Sequence, residues 1–205
     1  MRIVIITAEG FIPCESETIA RLAELPDMRI HLRKPGATPE QLRQLIERIP
    51  PSAYARISLH DHHRLAVEYG LGGIHLNGRN PLPPDGWEGL RSRSCHSIDE
   101  LARCTEEDYR FLSPIYDSLS KTGYTAAFGE RELAAAAAAG FLDARTVALG
   151  GVTPERLPEL ARRGFGGAAF LGYIWSDPDP QSIRKRIDKI LCYNSSLTKT
   201  SDTTR

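Results

Sequence analysis

Eight short strand-like runs, separated by stretches with helix signals, constrain the fold of this chain more than any other feature of its sequence. The runs are rich in β-branched and apolar residues, and such alternation with helical stretches is typical of parallel sheets with helical crossovers. The predicted strands lie near residues 3–7, 29–33, 56–60, 73–76, 93–96, 109–113, 146–149 and 168–171. Eight units of about 25 residues predict a single-domain α/β protein with the (β/α)8 TIM barrel fold.

Capping residues mark the starts of several helices between these strands. Thr38 precedes Pro39, Thr153 precedes Pro154, and Ser97 precedes an Ile-Asp-Glu segment. A hydroxyl residue followed by proline or by a nearby acidic residue is typical of a helix N-terminus. These signals support helical crossovers between the predicted strands.

An open, doubly wound sheet is the alternative to the barrel. That fold would favour a GxGxxG turn after the first strand, yet residues 8–13 read AEGFIP, with one glycine. The barrel is therefore preferred, and it is predicted to span residues 1–192. Residues 193–205 read YNSSLTKTSDTTR, a polar tail with little to bury, which predicts disorder.

Charge and composition narrow the expected partners. The 26 Lys and Arg residues balance 26 Asp and Glu residues, so the chain lacks the basic excess of nucleic-acid-binding proteins. A small molecule is therefore the expected partner, with no nucleic acid and no membrane. No apolar run approaches the roughly 20 residues of a bilayer span, which predicts a cytoplasmic protein. The four cysteines form no CxxC pair and are predicted to be reduced thiols.

Polar residues at strand ends are the candidate site residues, because TIM barrels build their active sites at the C-terminal ends of the strands. Four histidines lie within or at the ends of strands 2 to 5: His31, His60, His75 and His96. His75 is flanked by apolar residues, which favours a role in the core. His60 adjoins Asp61 at a strand end, which favours a role in the site.

Three further segments are candidates for binding anions. Strand alternation places Arg33 on the same face as His31, and its guanidinium offers a fork for phosphate oxygens. Glycines follow strands 7 and 8, where backbone N–H groups often bind a phosphate: Gly150, Gly151 and Gly172, the last followed by Tyr173. The long loop after strand 6 is expected to cover the site and to bind a second anionic group through Ser118, Ser120 and Lys121.

The order of motifs along the chain resembles the thiamine-phosphate synthase/TenI family. The motifs are HLRKPG, LHDHHRLAVEYGLGGIHLN, SCHSIDEL, DYRFLSPIYDSLSKTG and ALGGVTPERLPELARRGFGGAAFLG. The resemblance extends from the first strand to about residue 180 and implies a (β/α)8 barrel. It also implies one of two reactions. Synthases join hydroxymethylpyrimidine diphosphate to thiazole phosphate, with Mg²⁺ and release of diphosphate, whereas related members tautomerise a thiazole carboxylate phosphate.

The resemblance assigns expected roles around the diphosphate and the metal. Arg33 matches the arginine of the family's Q-x-R-x-K motif, but His31 replaces its glutamine and Pro35 replaces its lysine. Asp61 matches a metal-side aspartate, next to His60 in place of an asparagine. Asn80 stands where many synthases carry the second metal-binding aspartate. Magnesium at Asp61 and Asn80 is therefore expected to bind weakly.

The later motifs match the family more closely. Ser118, Ser120 and Lys121 match its hydroxyl-x-hydroxyl-Lys loop, and Gly150 and Gly151 match its phosphate-binding glycines. Gly172 replaces a serine whose position still offers a backbone N–H. Pro114 occupies the position of the tautomerase histidine.

The leading hypothesis is a synthase-like transferase in which Arg33 and Lys121 stabilise the departing diphosphate. In this hypothesis His60 donates a hydrogen bond to the diphosphate or holds Asp61. A tautomerase with His60 or His31 as its base is the second hypothesis, and a non-catalytic protein that binds thiazole phosphate or thiamine phosphate is the third. The oligomeric state stays open, with a homo-oligomer among the options.

Overall fold

Eight parallel strands close into a barrel in the computed structural model, which describes residues 1–117 and 126–201. The strands are β1 (Arg2–Ile6), β2 (Met28–Leu32), β3 (Ile57–Leu59), β4 (Gly73–Leu76), β5 (Leu90–Cys95), β6 (Tyr109–Leu112), β7 (Thr146–Ala148) and β8 (Gly167–Phe170). Each strand pairs with the next one in sequence, and β8 pairs with β1 from Arg2–Gly167 to Ile5–Phe170. The predicted TIM barrel is confirmed, and the open sheet is excluded.

Helices surround the barrel. In the described part of the chain they are α1 (Glu15–Ala23), α2 (Pro39–Glu47), α3 (Arg64–Tyr69), α4 (Ile98–Arg103), α5 (Glu130–Ala138), α6 (Leu157–Arg162), α7 (Gly172–Trp175) and α8 (Pro180–Ser201). Short 3₁₀ helices span Pro51–Arg56 and Pro154–Arg156. Thr38 caps α2 by accepting from the Gln41 N–H, and Ser97 caps α4 by accepting from the Glu100 N–H. None of the described helices has both the length and the apolar composition of a membrane span.

The connection from β4 to β5 departs from the expected pattern, because residues 77–89 form no helix. Three prolines and a glycine at φ +71° account for this: Pro81, Pro83, Pro84 and Gly86. Proline lacks the N–H that a helix interior needs and restricts the residue before it. The segment is instead a loop at the C-terminal end of β4.

The prediction of a disordered tail from residue 193 is wrong for the described part of that segment. Helix α8 continues to Ser201. Tyr193 and Leu197 pack against the core, and this buried apolar surface stabilises the last turns of the helix. Asn194 is bonded to Met1 in both directions: its Oδ1 accepts from the N-terminal amine and its Nδ2 donates to the carbonyl, both at 3.1 Å.

Two kinds of side chain fill the barrel interior. Strands β1, β6, β7 and β8 contribute a mainly apolar cluster of Val4, Ile6, Tyr109, Phe111, Val147 and Ala169. Strands β2 to β5 contribute buried polar residues: Arg29, His31, Ser58, His75 and Ser92. The main apolar core lies outside the barrel, between the strands and the helices. The polar half of the interior therefore lies below the C-terminal ends of β2 to β5.

Candidate active site

A pocket of about 400 Å³ opens at the C-terminal ends of the strands. Six predicted site residues line it: Arg33, His60, Gly150, Gly151, Gly172 and Tyr173. His31, Asp61 and Asn80 lie next to lining residues, whereas Ser118, Ser120 and Lys121 fall outside the described residues. Polar side chains that the sequence did not single out also line the pocket, among them Asn77, Arg79, Ser94 and Tyr116.

The loop after β7 reaches the pocket with backbone atoms. Gly150 and Gly151 have φ angles of +92° and +60°, a region that favours glycine. A Cβ on Gly151 would lie 2.1 Å from the carbonyl oxygen of Asp117, so the loop after β6 leaves no space for a side chain. The Tyr116 N–H also donates to the Gly150 carbonyl at 3.1 Å. The two glycines therefore allow the β6 and β7 loops to pack together at one wall.

Arg33 lies in the wall on the β2 side of the pocket. Its Nη1 donates to Glu9 Oε1 at 2.7 Å. Lys34, the next residue, is buried on the other face, where Nζ donates to Glu15 Oε1 at 2.6 Å and to two carbonyls of the β1 loop. Lys34 therefore holds that loop and does not replace the family lysine that is missing at Pro35.

Asp61 and Asn80, the two residues that the resemblance assigns to a metal, lie next to each other in the structure, and both are bound to protein groups. Asp61 Oδ1 accepts from Asn80 Nδ2 at 3.0 Å and from Arg79 Nε and Nη2 at 3.1 and 3.0 Å. Asn77 Oδ1 accepts from the backbone N–H groups of Arg79 and Asn80, which shapes this loop. Arg79 was missed, although a charged residue just after β4 was an available signal.

His31 and His60 belong to a chain of hydrogen bonds that runs through the polar half of the barrel. His31 Nδ1 lies 2.8 Å from His60 Nε2, and His31 Nε2 lies 2.6 Å from the Tyr109 hydroxyl. That hydroxyl is 3.3 Å from Ser58 Oγ, which accepts from Arg29 Nε at 2.9 Å. A side chain on Gly73 would collide with both Ser58 and Arg29, so this glycine makes room for the buried guanidinium.

The hydrogen bonds between Ser58, Tyr109, His31 and His60 can run in two directions, which differ in the tautomers of the two histidines. In one direction Ser58, which accepts from Arg29, donates to Tyr109, Tyr109 donates to His31 Nε2, and His31 Nδ1 donates to His60 Nε2, so that the proton of His60 lies on Nδ1. In the other direction His60 Nε2 donates to His31 Nδ1, and His60 Nδ1 is an acceptor. His60 lines the pocket in both arrangements.

The buried histidines are neutral. Burial, with smaller contributions from nearby histidines and arginines, lowers the pKa of His31 and His60 well below the usual value. Burial also lowers the pKa of His75 to about 3, and both of its ring nitrogens lie 2.8 Å from serine hydroxyls. The His60 and His75 rings stack at 4.1 Å and 23°. One nitrogen from each of His31, His60 and His75 lies within 4.8 Å of the others, but His31 and His75 each use both ring nitrogens in hydrogen bonds, so we interpret the cluster as a hydrogen-bonded unit.

Comparison with known proteins agrees with the barrel fold. The family model described as thiamine monophosphate synthase matches residues 3–174. The chain belongs to the thiamine monophosphate synthase family. A crystal structure of thiamine phosphate pyrophosphorylase from Bacteroides thetaiotaomicron, 33% identical, covers 95% of this chain and 98% of its own, with a TM-score of 0.85.

More distant relatives extend this result. A thiamine-phosphate synthase from Rhizobium etli is 29% identical over 184 residues, which are 82% of this chain and 86% of the relative. A putative thiamine-phosphate synthase from Geobacter sulfurreducens is 28% identical over 165 residues, 77% of this chain and 76% of the relative. A Pyrococcus furiosus thiamine phosphate pyrophosphorylase, 15% identical with a TM-score of 0.71, shares the fold across 96% of both chains.

Proposed function

We propose that this member of the thiamine monophosphate synthase family is a thiamine-phosphate synthase. It would join hydroxymethylpyrimidine diphosphate to thiazole phosphate and release diphosphate. The observation that carries the proposal is one pocket with Arg33 and Arg79 on the β2 and β4 side and the Gly150–Gly151 loop on the β7 side. These walls face each other across the barrel, as two phosphorylated substrates in one cavity require.

The proposed reaction breaks the bond between the pyrimidine methylene carbon and the diphosphate oxygen. The bonding electrons leave with the diphosphate, and the thiazole nitrogen then forms a bond to the methylene carbon. Such a step needs stabilisation of the departing charge more than it needs a general base. Arginine side chains suit this need, and Lys121 and His60 stay predicted contributors. The resemblance also implies magnesium at Asp61 and Asn80, where Arg79 already supplies a positive charge.

The test is an assay for thiamine phosphate with the purified protein and both substrates. Formation of thiamine phosphate with an equal amount of diphosphate is the expected result. Calorimetric titration with thiazole phosphate alone is the companion measurement. Binding of thiazole phosphate without any product would contradict the synthase proposal and would favour the non-catalytic binding protein.

A further inference from the structure

We propose that the Arg79 guanidinium takes the place of a metal ion at this wall of the pocket and binds the diphosphate directly. This inference rests on the proposed function, because it assumes that a diphosphate enters the pocket. It starts from the three N–H donors that surround Asp61 Oδ1: Arg79 Nε, Arg79 Nη2 and Asn80 Nδ2, all within 3.1 Å.

These residues do not fit Mg²⁺. The ion requires oxygen ligands at roughly 2.0–2.1 Å in near-octahedral geometry. Asp61 Oδ1 is already shared by three donors, and Oδ2 accepts from Arg79 Nη2 at 3.3 Å. Asn80 directs its N–H group, and not its oxygen, towards Asp61 and towards the His60 carbonyl. Arg79 would therefore repel a cation next to Asp61. Both carboxylate oxygens of Asp61 already accept hydrogen bonds.

Arg79 is placed to bind an anion in the pocket. Its side chain is 52% exposed, whereas that of Asp61 is 11% exposed, so the pocket faces the positive end of this ion pair. Nε and Nη2 hold Asp61, and Nη1 makes no hydrogen bond within residues 1–117 and 126–201. A guanidinium has five N–H donors in a planar fork, and forks of this kind suit phosphate oxygens.

Arg33 completes the binding site on the same side. It lines the same pocket, and Glu9 holds its Nη1. Two arginines, each oriented by a carboxylate, would bind the free diphosphate rather than its magnesium complex. The leaving group would then be stabilised by N–H donors of this chain.

Calorimetric titration with inorganic diphosphate tests the proposal, once in excess EDTA and once in millimolar Mg²⁺. We expect binding in EDTA at least as tight as binding with the metal. Arg79→Gln should weaken the binding in EDTA roughly ten- to hundredfold, the usual loss for a hydrogen bond between charged groups. Arg184→Gln, an exposed arginine of α8, is the matched control and should leave the affinity unchanged.

Three results would overturn the proposal. The first is diphosphate binding that requires Mg²⁺ in the parent protein. The second is binding in EDTA that Arg79→Gln leaves unchanged. The double variant Arg79→Glu, Asn80→Asp supplies carboxylates in place of N–H donors and should bind diphosphate only with Mg²⁺, and metal-independent binding by this variant is the third result.

The same measurements separate this inference from the proposed function. Metal-independent diphosphate binding through Arg79, without any thiamine phosphate formed, would support the inference and contradict the synthase. Thiamine phosphate formed only with Mg²⁺, and equally well by Arg79→Gln, would support the synthase and overturn the inference.

Discussion

Acid should destabilise this barrel through the three neutral histidines in its polar half. His31, His60 and His75 are buried, and burial lowers the pKa of each in the folded state. The unfolded chain returns each imidazole to a pKa of about 6.5, so below that pH the unfolded state binds more protons than the folded state. The free energy of unfolding should therefore fall as the pH falls below about 6.5.

The size of the effect follows from proton linkage. For each histidine that stays neutral in the folded state, the free energy of unfolding falls by about 1.6 kcal/mol between about pH 6.5 and about pH 5. Three such groups lose about 5 kcal/mol together, which is comparable to the whole stability of many domains. This magnitude exceeds the effect of most single substitutions.

Urea denaturation across this pH range is the assay, with His31→Gln as the perturbation. Glutamine has no titrating group in this range, so the variant should lose about 1.6 kcal/mol less than the parent over the same interval. Tyr109→Phe is the matched control, because it removes the hydrogen bond to His31 but keeps all three imidazoles. It should lower the stability at neutral pH by roughly 1–3 kcal/mol and keep the parent's pH dependence.

An unchanged pH dependence in His31→Gln would refute the reasoning, because it would mean that His31 does not take up a proton on unfolding. A parent protein whose stability stays constant between neutral pH and pH 5 would refute it for all three histidines.

Three further predictions concern the site and the C-terminal helix. Gly151→Ala should cost about 2–4 kcal/mol of stability in urea denaturation, because it adds a left-handed residue and an overlap with the Asp117 carbonyl; it should also weaken thiazole phosphate binding in calorimetry, and an unchanged affinity would place the phosphate elsewhere. His60→Asn should keep thiamine phosphate formation, whereas a loss of roughly a hundredfold in tautomerase activity would instead identify His60 as a base. Asn194→Ala removes both hydrogen bonds to Met1 and should lower the melting temperature by roughly 2–8 °C in a thermal scan; an unchanged melting temperature would show that this contact does not stabilise the fold.

The barrel was predictable because its signals are local and repeated. Each strand is a short apolar run, and caps such as Thr38 and Ser97 mark helix starts through bonds between residues three apart. The two errors have different causes. The loop after β4 has a local cause, the closely spaced Pro81, Pro83 and Pro84, whereas the end of α8 depends on Asn194 contacting Met1 across almost the whole sequence.

Site residues could be predicted from the sequence only where their position at the end of a strand places them at the pocket. Arg33, His60 and the two loop glycines follow strand ends, and they line the pocket. The pairing of Asp61 with Arg79 brings two strand ends together, and no sequence spacing signals it. The proton positions on His31 and His60 depend on Tyr109, Ser58 and Arg29, which come from three different strands.

The apolar and polar halves of the barrel interior differ in the substitutions that they tolerate, in evolution or in redesign. On the apolar side, residues such as Val147 and Ala169 interact through shape and volume, so coordinated exchanges among aliphatic side chains preserve the packing. On the polar side, the side chains of Arg29, Ser58, Tyr109 and His31 are joined by hydrogen bonds, and changing one member leaves its neighbour unsatisfied. New substrate preferences are therefore easier to reach by repacking the apolar residues beneath the Gly150–Gly151 loop than by altering the residues beneath His60.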